Sequence, residues 1–191
     1  PLHAFDYDRL KPRGEAEEKP LIDVRGAREG EQMKTLDKEL RTFDDEMLLI
    51  TDGSGPVAVA GVMGGLDSEV GEGTDDVLLE SATFDFISVR RTSQQLKLHT
   101  EAASHFGKRV DSELALVAAA RAAELMAEIA GGSVVRVAGD LYPGVPHTPT
   151  LAYDPALSDR ILGMEIPREE QVRILTARDF AVDDNAAPWT V

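Results

Sequence analysis

The chain of 191 residues contains no cysteine. That excludes disulfides, thiolate metal sites and a cysteine nucleophile, and it fits a cytoplasmic protein. No apolar run approaches the roughly 20 residues of a membrane-spanning helix. Basic residues are scarce: 20 Lys and Arg stand against 35 Asp and Glu, a net charge of -15. Such a chain does not bind nucleic acid through broad electrostatics, so any contact with RNA is expected at a local site. Also absent are HExxH, paired histidines at helical spacing and GxSxG. His3, His99, His105 and His147 are scattered, and no Ser-His-Asp triad can be assembled from them. The opening Pro1-Leu-His-Ala-Phe-Asp6 has neither the charged start nor the apolar stretch of a secretory signal. With no initiator Met, the expectation is a piece of a longer polypeptide.

What is present is a globular balance, 42% apolar and 29% charged, sufficient for one sizeable core and a small second unit. The stretch Val57–Asp111 concentrates the unusual features. Apolar runs pass directly into glycines, a lone acid and small residues, a composition suited to a pocket floored by backbone. Around it, residues 1–20 read as a loop and a short turn. Leu21–Arg28 reads as a strand, and Lys34–Arg41 as a hairpin about Asp37-Lys38 or a short helical turn, with the hairpin preferred. Met47–Thr51 and Val57–Ala60 read as strands joined by the turn Asp52-Gly-Ser-Gly55. Asp75–Glu80 ends another strand. Phe84–Leu98 has helical spacing with Asp85 as N-cap. Ser112–Ala130 is the clearest helix, stopped by Gly131-Gly132. Its face Leu114, Val117, Ala118, Leu125, Ile129 is expected to be core scaffold. Val134–Gly139 reads as a strand, 140–149 as a linker. Helices are expected from Asp154-Pro155 and from Ile166-Pro167 to about Arg178. A hairpin of Phe180–Asp183 with Trp189–Val191 follows, suggesting a winged-helix-like unit cut off before it finishes.

The residues alone leave the chemistry open. Gly61–Gly65 lacks the Lys-Ser/Thr of a P-loop and the spacing of a dinucleotide fingerprint. It reads as a tight turn, though Gly64 and Gly65 would let a ligand approach bare amides. Glu80 follows three apolar residues: either it faces solvent, which its residue type favours, or it is a deliberately placed acceptor. His3 is either a packed histidine, the preferred reading, or a neutral imidazole in a pocket. The basic face of Arg90, Arg91 and Lys97 reads as solvated.

Several motifs carry a resemblance. Pro1–Asp6, Ala60-Gly-Val-Met-Gly-Gly-Leu-Asp-Ser-Glu-Val70, Leu79-Glu-Ser-Ala82, Val89-Arg-Arg-Thr92 and His99-Thr-Glu-Ala102 closely resemble the beta subunit of bacterial phenylalanyl-tRNA synthetase, in its editing module. Arg160–Pro167 through Trp189 resembles the start of that subunit's fifth domain. The resemblance implies an α+β fold: a mixed-sheet editing module over residues 1–149, then a truncated winged-helix-like domain over 150–191. It implies hydrolysis of tyrosine wrongly attached to tRNA(Phe), as part of a ligase. A synthetic pocket shaped for phenylalanine rejects an added hydroxyl only about a hundredfold, and a second site requiring that hydroxyl does better. Residue by residue, Glu80 matches the glutamate that recognises the phenol, and His3 a histidine at the ester end, the candidate catalytic group. Gly64 matches a glycine leaving room for substrate. Thr100, Ala102 and Pro1 match substrate-pocket positions. Metal ligands are expected in none of these.

The pattern departs at Glu101, where aspartate is usual, and at His105-Phe-Gly-Lys-Arg-Val-Asp111, which replaces an Arg-aromatic-Glu-Arg-Gly-Val-Asp run. The resemblance further implies an alpha subunit in a heterotetramer, tRNA(Phe) and the mischarged tyrosine as partners, and no membrane. No cofactor is expected in this segment, while the parent enzyme would use ATP and magnesium. The isolated piece is expected to be inactive. Two other readings stand beside this one: an interaction module without chemistry, and nucleic-acid binding through residues 150–191.

Overall fold

The computed structural model describes residues 2–14, 19–135, 139–144 and 149–191. The chain divides into two compact units, Pro1–Ala138 and Gly139–Val191. The first carries strands β1 (Leu2–Asp6), β2 (Asp23–Gly26), β3 (Gln32–Lys34), β4 (Leu40–Thr42), β5 (Leu48–Thr51), β6 (Pro56–Val59), β7 (Met63–Gly64) and β8 (Val77–Ser81). Helices α1 (Phe86–Gln95), α2 (Glu101–Phe106) and α3 (Leu114–Ala130) follow. The α+β class holds. The expectation of a mixed sheet does not, because every strand pairing among the described residues is antiparallel.

The centre is the four-stranded sheet β2-β5-β6-β7. Leu49 pairs with Val59, and Ile50 with Ala58. Successive strand residues point to opposite faces, and here both faces are covered. Leu49 and Val59 belong to one apolar cluster with Val62, Val89, Leu98 and Ala103. Ile50 and Ala58 belong to another with Phe5, Leu10, Val57 and Ala60. Double coverage explains why Met47–Ile50 and Val57–Ala60 are continuous apolar runs rather than alternating ones. Phe5 and Leu49 are fully buried, each contributing about 1.5–3 kcal/mol by transfer from water.

The turn from β5 to β6 is made by one side chain. Asp52 Oδ1 accepts from Ser54 N at 2.8 Å and Gly55 N at 3.2 Å, while Gly55 takes φ 138°. This is the Asx geometry that aspartate favours at a turn's first position. Lys34–Arg41 is the expected hairpin, β3 pairing with β4.

Four further expectations are corrected. Residues 2–6 are not a loop but β1, paired along its length with β8. The helix α3 forms, with Gly131 at φ 69° as its stop, yet it is not core scaffold. It buries no residue fully, and Leu114, Val117 and Ile129 are 51%, 63% and 81% exposed. Its half-buried positions are mainly alanines, Ala115, Ala118, Ala119, Ala122 and Ala123, with Leu125. The small alanines and a bond from Ser81 Oγ to the Ala115 carbonyl (2.6 Å) bring α3 against β8, which turns the larger residues outward. Val134 and Val135 lie in no strand; residues 136–138 are outside the described residues.

In the second unit, β9 (Ala152–Tyr153), α4 (Pro155–Leu162), α5 (Arg168–Thr176) and β10 (Trp189–Thr190) occur in order. Asp154 caps α4 by accepting from Ala156 N, with Pro155 at its first position. The fourth correction is here. Trp189–Thr190 pairs with Ala152–Tyr153, and of Phe180–Asp183 only Asp183 bridges to Thr190. Tyr153 explains the preference: its ring lies 5.5 Å from that of the buried Trp189, and its hydroxyl donates to Gln171.

Candidate functional site

A cavity of about 330 Å³ opens in the first unit, at the lower end of the size range of small-molecule sites. It gathers five of the six residues expected from sequence: His3, Gly64, Glu80, Thr100 and Ala102 all line it. Pro1, the sixth, lies outside the described residues.

The antiparallel pairing of β1 with β8 places His3 directly opposite Glu80. Directly opposed residues share a face with Cβ atoms about 4.5–5.5 Å apart. The two side chains therefore enter the cavity side by side from separate strands. Glu80 is half-buried rather than exposed as a strand-end acid commonly is. Its Oε2 is fully shielded and has no hydrogen-bond partner among the described residues. Burial pushes its carboxyl from the usual 4.5 up to about 7, because removing a charge from water disfavours the ionised form. Burial also lowers the pKa of His3 below its usual 6.5, so the imidazole is neutral at pH 7.

Gly64 serves His3 first. A Cβ on residue 64 would stand 2.5 Å from His3 Cε1 and 2.7 Å from Nε2. The glycine's missing side chain is thus the seat of the imidazole, and only beyond that a share of the substrate's space. The other edge of the ring rests on Phe5, with centroids 4.5 Å apart and planes at 74°.

Thr100 lines the cavity but commits its hydroxyl elsewhere. Oγ1 donates to the Val62 carbonyl at 2.7 Å and accepts from Ala103 N at 3.0 Å. It is both the N-cap of α2 and the latch holding that helix to the glycine turn. Ala102, in the first turn of α2, adds an apolar wall without bulk. Gly61, at φ 68°, supplies the left-handed bend of the turn; a Cβ there would meet Val89 and Phe84 at 3.0 and 3.1 Å. The turn accordingly rests directly on α1 and the segment before it.

Several lining residues were not singled out from sequence as pocket walls, among them Leu36 and Glu101. Leu36 stands at the tip of the β3–β4 hairpin, whose backbone N donates to the Gly64 carbonyl at 3.1 Å. Nothing local marks a turn leucine as a wall, since the contact joins distant segments. Glu101, noted only as a departure from the family pattern, is an exposed acid lining the cavity.

The walls are otherwise apolar, from Ile50, Val59 and Met63. The arrangement suits a largely apolar guest with one hydrogen-bond donor at the Glu80 end and a reacting group near a neutral imidazole. Among the described residues, no group of three or more His, Asp or Glu is placed to hold a metal ion. No described helix is long and apolar enough to cross a membrane.

Residues 1–131 match the model of the B3/4 domain. The phenylalanine–tRNA ligase beta subunit of Salinibacter ruber is 44% identical over 183 residues, covering 96% of this chain and 21% of that relative. The beta subunit of Moorella thermoacetica is 48% identical over 166 residues, 87% of this chain and 20% of the relative. That of Halalkalibacterium halodurans is 44% identical over 181 residues, 95% and 22%. The chain thus spans about a fifth of the length of these relatives. With the motif order, the family match and these identities in agreement, the chain belongs to the B3/4 domain family.

Proposed function

We propose that this chain is the editing module of a phenylalanine–tRNA ligase beta subunit and hydrolyses tyrosine wrongly esterified to tRNA(Phe). The observation that carries the reading is the shielded, unpartnered Oε2 of Glu80 at the edge of an apolar cavity. A buried acceptor without a partner calls for an explanation, and a ligand's donor is one. The tyrosyl ring occupies the apolar part, and its phenolic O–H donates to Glu80. Phenylalanine leaves that acceptor unpaired, at a cost of about 1–3 kcal/mol, or roughly 5- to 150-fold in selectivity.

The ester end lies by His3. The neutral imidazole holds a water or a ribose hydroxyl in line with the ester carbonyl, and positioning of this kind lowers the barrier without a covalent intermediate. Water adds to the carbonyl carbon, the bond to the ribose oxygen breaks, and that oxygen takes up a proton. Tyrosine and free tRNA leave. The alpha subunit completes a cytoplasmic heterotetramer, and ATP and magnesium serve ligation rather than any step here. The alternative of an inert packing module predicts Glu80, His3 and Gly64 on separate surfaces, whereas they share one cavity.

The test uses the full heterotetramer with Glu80→Ala and Glu80→Gln, measuring deacylation of tyrosyl-tRNA(Phe) and phenylalanyl-tRNA(Phe). Glu80→Ala is expected to lower the preference for tyrosine about 5- to 150-fold. An unchanged preference would overturn the assigned role.

A further inference from the structure

The charge of the chain is not evenly spread. Residues 86–110, spanning α1 and α2, hold five Lys and Arg against a single acid, Glu101, with the exposed acids Asp85 and Asp111 bounding them. This segment is +4 in a chain of -15, which leaves -19 on the remainder. Arg90, Arg91, Lys97, Lys108 and Arg109 are all exposed, and none is in an ion pair among the described residues. Several arginines elsewhere are paired with acids, as Arg25 is with Glu31 and Arg41 with Asp37.

The island is built, not merely basic in sequence. The Arg90 guanidinium donates twice to the Gly107 carbonyl, at 2.8 and 3.2 Å, tying α1 to the end of α2. Arg109 lies over the Phe86 ring, 5.7 Å from its centroid. Both contacts fix the charges in place without neutralising them. The start of α2 walls the cavity through Thr100, Glu101 and Ala102, while α1 only supports the glycine turn, Gly61 packing on Val89 and on Phe106 of α2. Exposed Gln94, Gln95, His99 and Ser104 lie between the cations, a polar rather than apolar surface.

We propose that the α1–α2 face is the docking surface for the phosphate backbone of the acylated single-stranded 3′ end of tRNA, leading it to the cavity. The proposal rests on the editing reading above. Phosphates supply position and affinity through Lys and Arg contacts. At physiological salt, charges beyond about 8 Å are screened, so the acidic remainder does not cancel the island for a phosphate in contact. It does disfavour every other approach, which funnels the strand to this face. An acidic protein partner would meet the same cations, but it would not explain why they stand on α1 and on the two segments that flank α2, the helix whose first turn walls the cavity.

The experiment compares the wild-type heterotetramer with Arg91→Glu/Lys97→Glu and with the milder Arg91→Gln/Lys97→Gln, in deacylation of tyrosyl-tRNA(Phe) over a series of salt concentrations. Both positions are exposed, and the neutral pair carries the test if the reversed pair folds poorly. The reversed pair is expected to raise KM about tenfold and to flatten the slope of log kcat/KM against log salt by about 1 per lost contact, the loss lying in KM. Deacylation by the wild type together with an unchanged KM and slope in both variants would overturn this proposal alone. A wild type that does not deacylate tyrosyl-tRNA would overturn the editing reading and this proposal with it.

Discussion

Gly64→Ala isolates the contact that sets the site. The added methyl would stand 2.5 and 2.7 Å from two atoms of the His3 ring and 3.2 Å from Leu36 Cδ1. Non-bonded carbons sit about 3.5–4.0 Å apart, so the ring must move by roughly 1 Å. It cannot retreat toward Phe5, which is fully buried and already in edge contact with it. The ring therefore swings into the cavity. Overpacking of this kind costs about 1–3 kcal/mol, and a displacement of about 1 Å at a reacting centre costs on the order of a hundredfold in rate. The decisive assay is a double-mutant cycle in urea denaturation midpoints on Gly64→Ala, His3→Ala and the double variant. With the ring removed, the methyl has space, and its effect should fall to a few tenths of a kcal/mol or turn mildly stabilising through the stiffer unfolded chain, an effect of about 0.4–1 kcal/mol. Equal destabilisation by Gly64→Ala in both backgrounds would refute the idea that this glycine seats the imidazole.

Two further predictions follow from the same geometry. Glu80 has its folded-state pKa raised from 4.5 to about 7 by burial, so its contribution to stability is fully present below about pH 4.5 and is lost as pH rises through 7. Glu80→Gln carries no charge to bury. From about pH 4 to about pH 8, its stability relative to wild type should therefore rise by up to about 3 kcal/mol. A pH-independent difference in unfolding free energy would count against a shielded carboxyl. Thr100→Ala removes both the cap of α2 and the latch to Val62, an expected loss of about 1–2 kcal/mol. Thr100→Ser keeps the hydroxyl and should retain most of that stability, and thermal unfolding of the two variants distinguishes a hydroxyl effect from a packing effect.

What the sequence made legible was local chemistry. Asp52 at its turn, Asp85 and Asp154 at their helix starts and Gly131 at a helix end each act within a few residues. A side chain and a backbone amide that close in sequence meet under almost any tertiary structure. The misreadings share the opposite property. Leu2–Asp6 is a strand only because β8, far along the chain, pairs with it, and no pattern in five residues announces that partner. The helix α3 was read correctly as a helix and wrongly as core, because periodicity defines a stripe without saying which neighbour covers it. Close approach to β8 favoured the alanine side, and the leucine and valine side was left outward.

The same distinction governs the site. Taken singly, Glu80 read as solvent-facing and His3 as a packed histidine, since nothing in either neighbourhood says otherwise. Register decides both. Phe5 pairs with Leu78 in the lower apolar cluster, where one is fully buried and the other packs against it. Side chains two residues apart on a strand share a face, so anchoring Phe5 and Leu78 inward necessarily turns His3 and Glu80 to that same side. A slip of one residue would send acid and imidazole to the opposite face, but it would also expel Phe5 from the core and lose about 1.5–3 kcal/mol of its burial. The apolar pair thus fixes the polar pair. The shielded acid is tolerated because the slip that would free it strips Leu78 of its packing as well as Phe5, so two apolar side chains stand against the cost, up to about 3 kcal/mol, of one buried carboxyl.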